Sequence, residues 1–310
     1  MDEKIVQADQ ADVEEILLET LPEAHIRALN ERARRERLDK IKQERKKLAD
    51  LKQLAEFESI QAKLFIKGCK NILRDNLAAG PAADWAALYN DTPYPPYIFK
   101  EGEETQRDAH EKERAAYITA QSKYNSAVDQ LQLDYEKGLP AAIQSFARIV
   151  LNGITKPDLV MVYFDAVYQT AEKLLVIDAV LPPYYDLPRA VSYQYKEAGD
   201  IIPVEMSDQE YDVFYLDLIQ QIALIAMDTI FKAMPARFVQ MAGFNGLVEN
   251  SETEETLDTK SCIITCKAAR QDFTALDLSQ ASPAANFLKL KGQLAKSLSG
   301  TDTVESTIIS

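Results

Sequence analysis

Asp178 and Lys267 have the strongest claim on chemistry in this chain. A metal-dependent nuclease centre holds Mg²⁺ with two carboxylates and uses a lysine to help the attacking water. It usually draws them from an Asp on one strand and an acid-x-Lys triplet on the next. Here Asp178 lies in Leu174-Leu175-Val176-Ile177-Asp178-Ala179-Val180-Leu181, and Lys267 closes Ile264-Thr265-Cys266-Lys267. Thr265 stands where the triplet requires an acid, and a long helical pattern separates the two strands. The chemistry is therefore incomplete on its face. Gly243-Phe244-Asn245-Gly246 lies inside an apolar strand pattern, where Asn-Gly reads as a bulge or turn. At a period of two, Cys262, Ile264 and Cys266 share one strand face, which sets both sulfurs against a core or an adjacent layer. Zinc would need two further ligands, and the two histidines, His25 and His110, lie on segments read below as arms. With no Gly-rich phosphate cradle and no nucleophile motif, neither catalytic residues, a metal nor a cofactor are expected.

The elements around these residues are clearer. β-branched and aromatic residues dominate Leu174–Leu181 and Val191–Lys196, and Pro182, Pro183 and Pro188 bound the tyrosine-rich loop between them. Ser207 followed by Glu210 forms a capping box that opens a helix running to Met234. Tyr211, Phe214, Tyr215, Leu218, Ile219, Ile222, Ile225, Ala226, Thr229 and Ile230 give that helix a wide apolar face. A further strand pattern, Phe238–Val248, follows the stop at Pro235. A polar acidic stretch, 249–260, reads as the tip of a hairpin returning through Cys262–Cys266. Shorter helices are expected from Pro140 to Leu151, from Pro157 to about Gln169, and from Pro283 to Leu298.

Upstream, the pattern from Ala24 to Ala79 is one long helix. Leu38, Ile41, Leu48, Leu51, Ala55, Ala62, Phe65, Cys69 and Ile72 recur at heptad-like steps. A second long helix runs from about Glu103 to Lys137. Small residues in its seam suggest an antiparallel hairpin with the first. Between them, Thr92-Pro93-Tyr94-Pro95-Pro96-Tyr97 is an extended connection, and Trp85 reads as a packing anchor. The expected organisation is an acidic segment at 1–23, helical coiled-coil arms at 24–137 with a Pro-rich connection at 80–102, an α+β domain at 138–298 and a loose tail at 299–310. The fold class is α+β: a long N-terminal helical hairpin, then a mixed-sheet domain with packed helices.

A net charge of −14 argues against a chain-wide affinity for nucleic acid, but the first arm is locally basic. Arg32, Arg34, Arg35, Arg37, Lys42, Arg45, Lys46 and Lys47 form a face that reads either as a solvated coiled-coil surface or as a nucleic-acid contact. Three cysteines fit a reducing cytoplasm. No uninterrupted apolar run reaches the ~20 residues of a membrane span, and Met1-Asp2-Glu3 does not open a signal peptide.

Several of these stretches together resemble a known family. They are Lys173-Leu174-Leu175-Val176 with the Leu187-Pro188 step, Tyr193-Gln194-Tyr195-Lys196, the Tyr215–Phe231 helix, Gly243-Phe244-Asn245-Gly246-Leu247-Val248, and Phe273 with Leu276-Asp277-Leu278 and Pro283. The stretch from Tyr135 to Ser299 is similar to the region upstream of the catalytic domain in Mrr-type restriction endonuclease-like bacterial proteins. The resemblance implies a helical region, then this α/β segment, then a separate metal-dependent nuclease domain. The sequence stops at Ser310, near where that domain would begin, so the resemblance carries over no catalytic residue. The chain is then expected to be an accessory protein of a defence locus, a piece cut before the nuclease, or a subunit whose enzyme is encoded separately.

The resulting expectation is a cytoplasmic, self-associating, non-catalytic recognition or assembly module of a nucleic-acid-directed restriction or anti-phage defence system. Its expected partners are a second copy, DNA, and a separately encoded nuclease or ATPase subunit, with no membrane. The alternatives are a purely structural protein–protein scaffold and a cryptic metal-dependent nuclease on Asp178 and Lys267.

Overall fold

A computed structural model describes residues 34–40, 51–79, 84–98, 104–196, 200–249, 260–299 and 303–306. After a helical stretch at 34–40 come α1 (Leu51–Lys70), α2 (Ile72–Ala79), a 3₁₀ turn (Trp85–Leu88), α3 (Glu104–Lys137) and α4 (Pro140–Asn152). The sheet-bearing part follows as β1 (Tyr163–Gln169), β2 (Leu174–Val180), β3 (Ala190–Tyr195), β4 (Ile201–Glu205), α5 (Asp208–Ala233), β5 (Met241–Glu249) and β6 (Lys260–Ala269). The last elements are α6 (Arg270–Thr274), α7 (Pro283–Lys289) and β7 (Gln293–Leu294). The architecture is α+β with a mixed sheet.

The main sheet has the order β1-β2-β5-β6-β7. Only β2 and β5 run parallel, and α5 lies in the connection between them, as a parallel pair requires a long crossover. The alternation along each strand sorts its residues between two faces. Phe164, Ala166, Leu175, Ile177, Ala179, Ala242, Phe244, Ile264 and Cys266 belong to one hydrophobic core with α4 and α5. The opposite face contributes nothing to that core among the described residues. Gly246 sits on the core side, where a Cβ would lie 2.3 Å from Ile264 Cγ2 and 2.6 Å from Leu181 Cδ1. Only glycine fits there.

The capping box at Ser207 and Glu210 starts α5, and the hydrogen bonds from Ser207 hold the Glu210 carboxyl below the usual range. From Tyr211 onward α5 is buried almost all round. Its length and composition match a membrane span although charged residues interrupt it, but most of it is core. Among the described residues, none of its fully shielded side-chain N or O atoms lacks a hydrogen bond. Gln221 accepts from the backbone N–H of Leu73 (3.1 Å) and donates to Cys69 O (3.1 Å) and Asp217 Oδ2 (2.7 Å). Those two backbone groups flank the break at Asn71, so Gln221 satisfies the ends that α1 and α2 leave open. At the other end, the Arg270 guanidinium donates to the carbonyls of Phe231, Met234 and Val239, closing the C-terminus of α5.

Among the described residues, α1 and α3 do not pack along each other as the expected hairpin would. α1 lies against β3 and reaches α5, while α3 packs through its C-terminal part on α4. The seam expectation holds locally for Ala55, Cys69 and Ile72, which are buried, but Leu38 is exposed. The first part of the hairpin, residues 24–33 and 41–50, lies outside the described residues, as do the acidic segment 1–23 and the stretch 250–259. Most of α3 before Gln121 is exposed, and the extended residues 89–98 run beside it. Tyr117 Oη and Gln121 Nε2 donate to Thr92 O (2.7 and 2.9 Å), Asn125 accepts from Asn90 N (2.9 Å), and Tyr94 Oη donates to Glu113 (3.1 Å). Trp85 stacks on Phe146 at 4.7 Å and fixes the base of this arm.

Two further expectations are corrected. The helix expected from Pro157 is instead β1, whose Phe164, Ala166 and Tyr168 alternate inward. The helix expected to run from Pro283 to Leu298 stops at Lys289 and gives way to β7. The strand β4, with Pro203 inside it, was not anticipated. Tyr193 pairs opposite Pro203, so its backbone N–H and C=O point away from β4, and both bond to Ser59 Oγ on α1 (2.7 and 3.1 Å).

Gly246→Ala should lower the melting temperature by about 3–8 °C, the effect of ~1–3 kcal/mol of overpacking. Thermal unfolding followed by circular dichroism measures it, and an unchanged transition would mean that Leu181 and Ile264 have room to move.

Candidate functional site

The residues singled out for chemistry converge on the sheet face that does not join the core. Register places Asp165, Asp178, Asn245, Thr265 and Gln293 opposite one another, one from each strand. This polar row is tied together. Asn245 Nδ2 donates to Asp178 Oδ1 (2.7 Å), and Thr265 Oγ1 donates to Asn245 Oδ1 (2.9 Å). Asn245 and Thr265 are only 3% and 5% exposed. At the β1 end, Asp165 accepts from Arg148 Nε (2.7 Å) and from the N–H of Ala166 (2.7 Å).

Asp178 and Lys267 thus share a face but not a neighbourhood. β5 stands between their strands, at two strand spacings or about 10 Å. Lys267 pairs with Gly243 and is exposed. Thr265, in the position of the missing acid, spends its hydroxyl on Asn245. Asn245 is therefore the centre of a structural network inside β5, and the Asn-Gly step does mark a bulge, because the β5–β6 register shifts directly after Gly246. Among the described residues no three His, Cys, Asp or Glu side chains come together as metal ligands.

The cysteines depart from their expected arrangement. The β5–β6 register shifts between Gly246 and Leu247, so Cys266 pairs with Phe244 but Cys262 pairs with Leu247. One extra residue reverses the parity, and only Cys266 joins the core. Both are free and buried, and burial pushes their thiols up to about 11 for Cys262 and about 12 for Cys266. Protonated, buried thiols of this kind are packing groups.

Of the basic residues named for nucleic-acid contact, Arg34, Arg35 and Arg37 are described, and Arg32, Lys42, Arg45, Lys46 and Lys47 lie outside the described residues. Arg37 Nη1 lies 3.1 and 3.2 Å from the two carboxylate oxygens of Asp158, so part of its charge is already answered within the chain. His110 packs against Tyr94 and Tyr97.

A concave site that the sequence reading missed opens where the loop after β2 meets the first turns of α5. It is a cleft of about 500 Å³ between Tyr184, Tyr185, Asp212 and Leu216 on one side and residues 294–299 on the other. The loop is rigidly held. Tyr215 Oη donates to Pro182 O (2.8 Å), Tyr211 Oη to Tyr184 O (2.5 Å), and Tyr184 Oη to Asp212 Oδ1 (2.5 Å). Burial and the Asp212 carboxylate push the Tyr184 phenol up to about 12, which keeps it a donor at ordinary pH. The tyrosine-rich loop was legible; its pairing with the segment after β7 was not, because that pairing is made by residues more than a hundred positions apart.

Fold and surface together define an α+β chain with one core-facing sheet face, one polar-rowed face and a cleft at a strand end. Comparison with protein-family models, with curated proteins and with solved structures finds no match in any of the three.

Asn245→Ala would leave Asp178 and Thr265 without their shared partner. Chemical denaturation should show a loss of about 1–3 kcal/mol, and a loss near zero would mean the row is not a closed network.

Proposed function

We propose that this chain is a non-catalytic recognition and assembly module, working in the cytoplasm within a nucleic-acid-directed restriction or anti-phage defence system. The observation that carries the assembly part is the pair of helices with surface to spare. α3 would be about 50 Å long at ~1.5 Å per residue, and its first half buries little. On α1, Ile60 and Leu64 lie one turn apart and remain 54% and 56% exposed. Isolated helical surface of this kind gains stability by packing on a partner. The nucleic-acid part rests on the resemblance to the region upstream of Mrr-type nuclease domains and on the basic residues Arg32 to Lys47. The partners proposed are a second copy, DNA and a separately encoded nuclease or ATPase subunit.

The non-catalytic reading is supported by the way Asp178 and Thr265 are spent on Asn245. A carboxylate engaged by an amide, with its neighbouring hydroxyl turned the same way, serves the sheet.

Light scattering after size exclusion should give a multiple of the 34.8 kDa chain mass, and the double variant Ile60→Glu/Leu64→Glu should return it to one. A wild-type monomer at high concentration removes self-association. DNA binding should weaken steeply with salt, and Arg34→Ala/Arg35→Ala should reduce the slope of log affinity against log salt by about two. No binding at low salt favours a protein–protein scaffold instead.

A further inference from the structure

We propose that the cleft beside Tyr185 binds a cationic side chain, a guanidinium or ammonium on an apolar stem, with its charge between the Asp212 carboxylate and the Tyr185 ring. This assignment is independent of the nucleic-acid reading above, and it stands or falls whether or not DNA binds.

The walls are built before any ligand arrives. The Tyr184 and Tyr185 rings meet edge to face, 4.9 Å apart at 88°, which props up the largely exposed Tyr185 ring at the cleft; an aromatic face carries the negative charge density that suits a cation. Asp212 adds a full negative charge beside them. Tyr184 occupies its Oδ1, and Oδ2 has no partner among the described residues. The side chains at the mouth are apolar and unusually exposed: Tyr185 at 76% and Val213 at 68%. Neither is required by the core, and both would cover the stem of a long basic side chain. Leu216 and Leu298 provide an apolar floor that packs against the core.

The facing wall is also fixed. The N–H of Ala295 donates to Ile263 O (2.8 Å), and the Ser297 and Ser299 hydroxyls bond to each other at 2.7 Å. Lys296 is the only cation among the lining residues. Arg189, just beyond, pairs with Asp208 at 3.0 Å, lies over the Tyr211 ring at 4.2 Å and also reaches the Tyr184 phenol, so the ligand's charge belongs on the Tyr185 side of Asp212. Lys296 makes no ion pair with Asp212, so it opposes a bound cation from across the cleft, and this gives the proposal a test of opposite sign. The ligand charge could belong to a basic residue of a peptide or to a small free cation.

Fluorine NMR of the full chain carrying fluorotyrosine would follow titration with Nα-acetyl-arginine amide, butylguanidinium, Nα-acetyl-norleucine amide and Nα-acetyl-glutamate amide. The arginine derivative should shift the Tyr185 signal saturably, and the norleucine and glutamate derivatives should not. Tyr185→Ala and Asp212→Asn should each weaken binding about threefold to fivefold, and Lys296→Ala should strengthen it about twofold. Asn keeps an oxygen for the Tyr184 hydroxyl, and Tyr185 is exposed, so at least one of these variants keeps the fold. Tighter binding of the capped arginine than of butylguanidinium identifies a peptide as the source, and equal binding identifies a small cation. No saturable shift with either guanidinium overturns the proposal. So does preferential binding of the glutamate derivative that Lys296→Ala abolishes, which would make the cleft an anion site.

Discussion

A helix buried on almost every side must find protein partners for the polar groups it shuts off from water, and α5 is such a helix. An unsatisfied amide in that position would cost about 1–3 kcal/mol. Gln221 meets the requirement by bonding to the broken ends of α1 and α2, and Arg270 meets it at the helix terminus by taking three carbonyls. The rest of the molecule follows from these ties. α1 and α2 are held on the core at the point where they would otherwise separate. The junction of β6 and α6 is held to the far end of the same helix. The phenols of Tyr211 and Tyr215 then fix the loop that lines the cleft.

The two faces of the main sheet divide the labour. The core face is apolar and so close-packed that Gly246 cannot carry a methyl group. The other face places a polar residue of every strand in one row, and Asn245 lies at the centre of that row. An apolar face can pack well in more than one strand register; a row of matched donors and acceptors favours the one in which its members meet. The same residues that first suggest a reaction centre therefore serve to align β2, β5 and β6.

The sequence made some of this legible. Strand composition located β2, β3 and β5, and the Ser207–Glu210 signal located the start of α5 within one residue. Other features depend on distant partners. β1 follows Pro157, which read as a helix start, and its strand character comes from pairing with β2. Pro203 argues against a strand until its outward-facing position on β4 is seen. Heptad spacing in α1 suggested another helix as its partner: its later part does meet α5, through Phe65 on Phe214, but β3 covers its earlier part, since spacing defines a face without naming what covers it. The parity of Cys262 and Cys266 failed because a single bulge lies between them. In the cleft, Tyr184 and Tyr185 were visible as a tyrosine-rich loop, but Asp212 looked like one charge among several on α5.

The contact between Ser59 and Tyr193 has a wider consequence. One hydroxyl accepts from the outward N–H of Tyr193 and shares its proton between the Tyr193 and Ala55 carbonyls, and Pro203 has no N–H to offer on the other side of the β3–β4 pair. On β1, the outward N–H groups of Ala166 and Tyr168 are taken by Asp165 and Gln144. At these positions a strand from a neighbouring molecule would find no free N–H groups to pair with, which disfavours edge-to-edge stacking. At those positions any contact between strand edges would fall to side chains rather than to a backbone ladder.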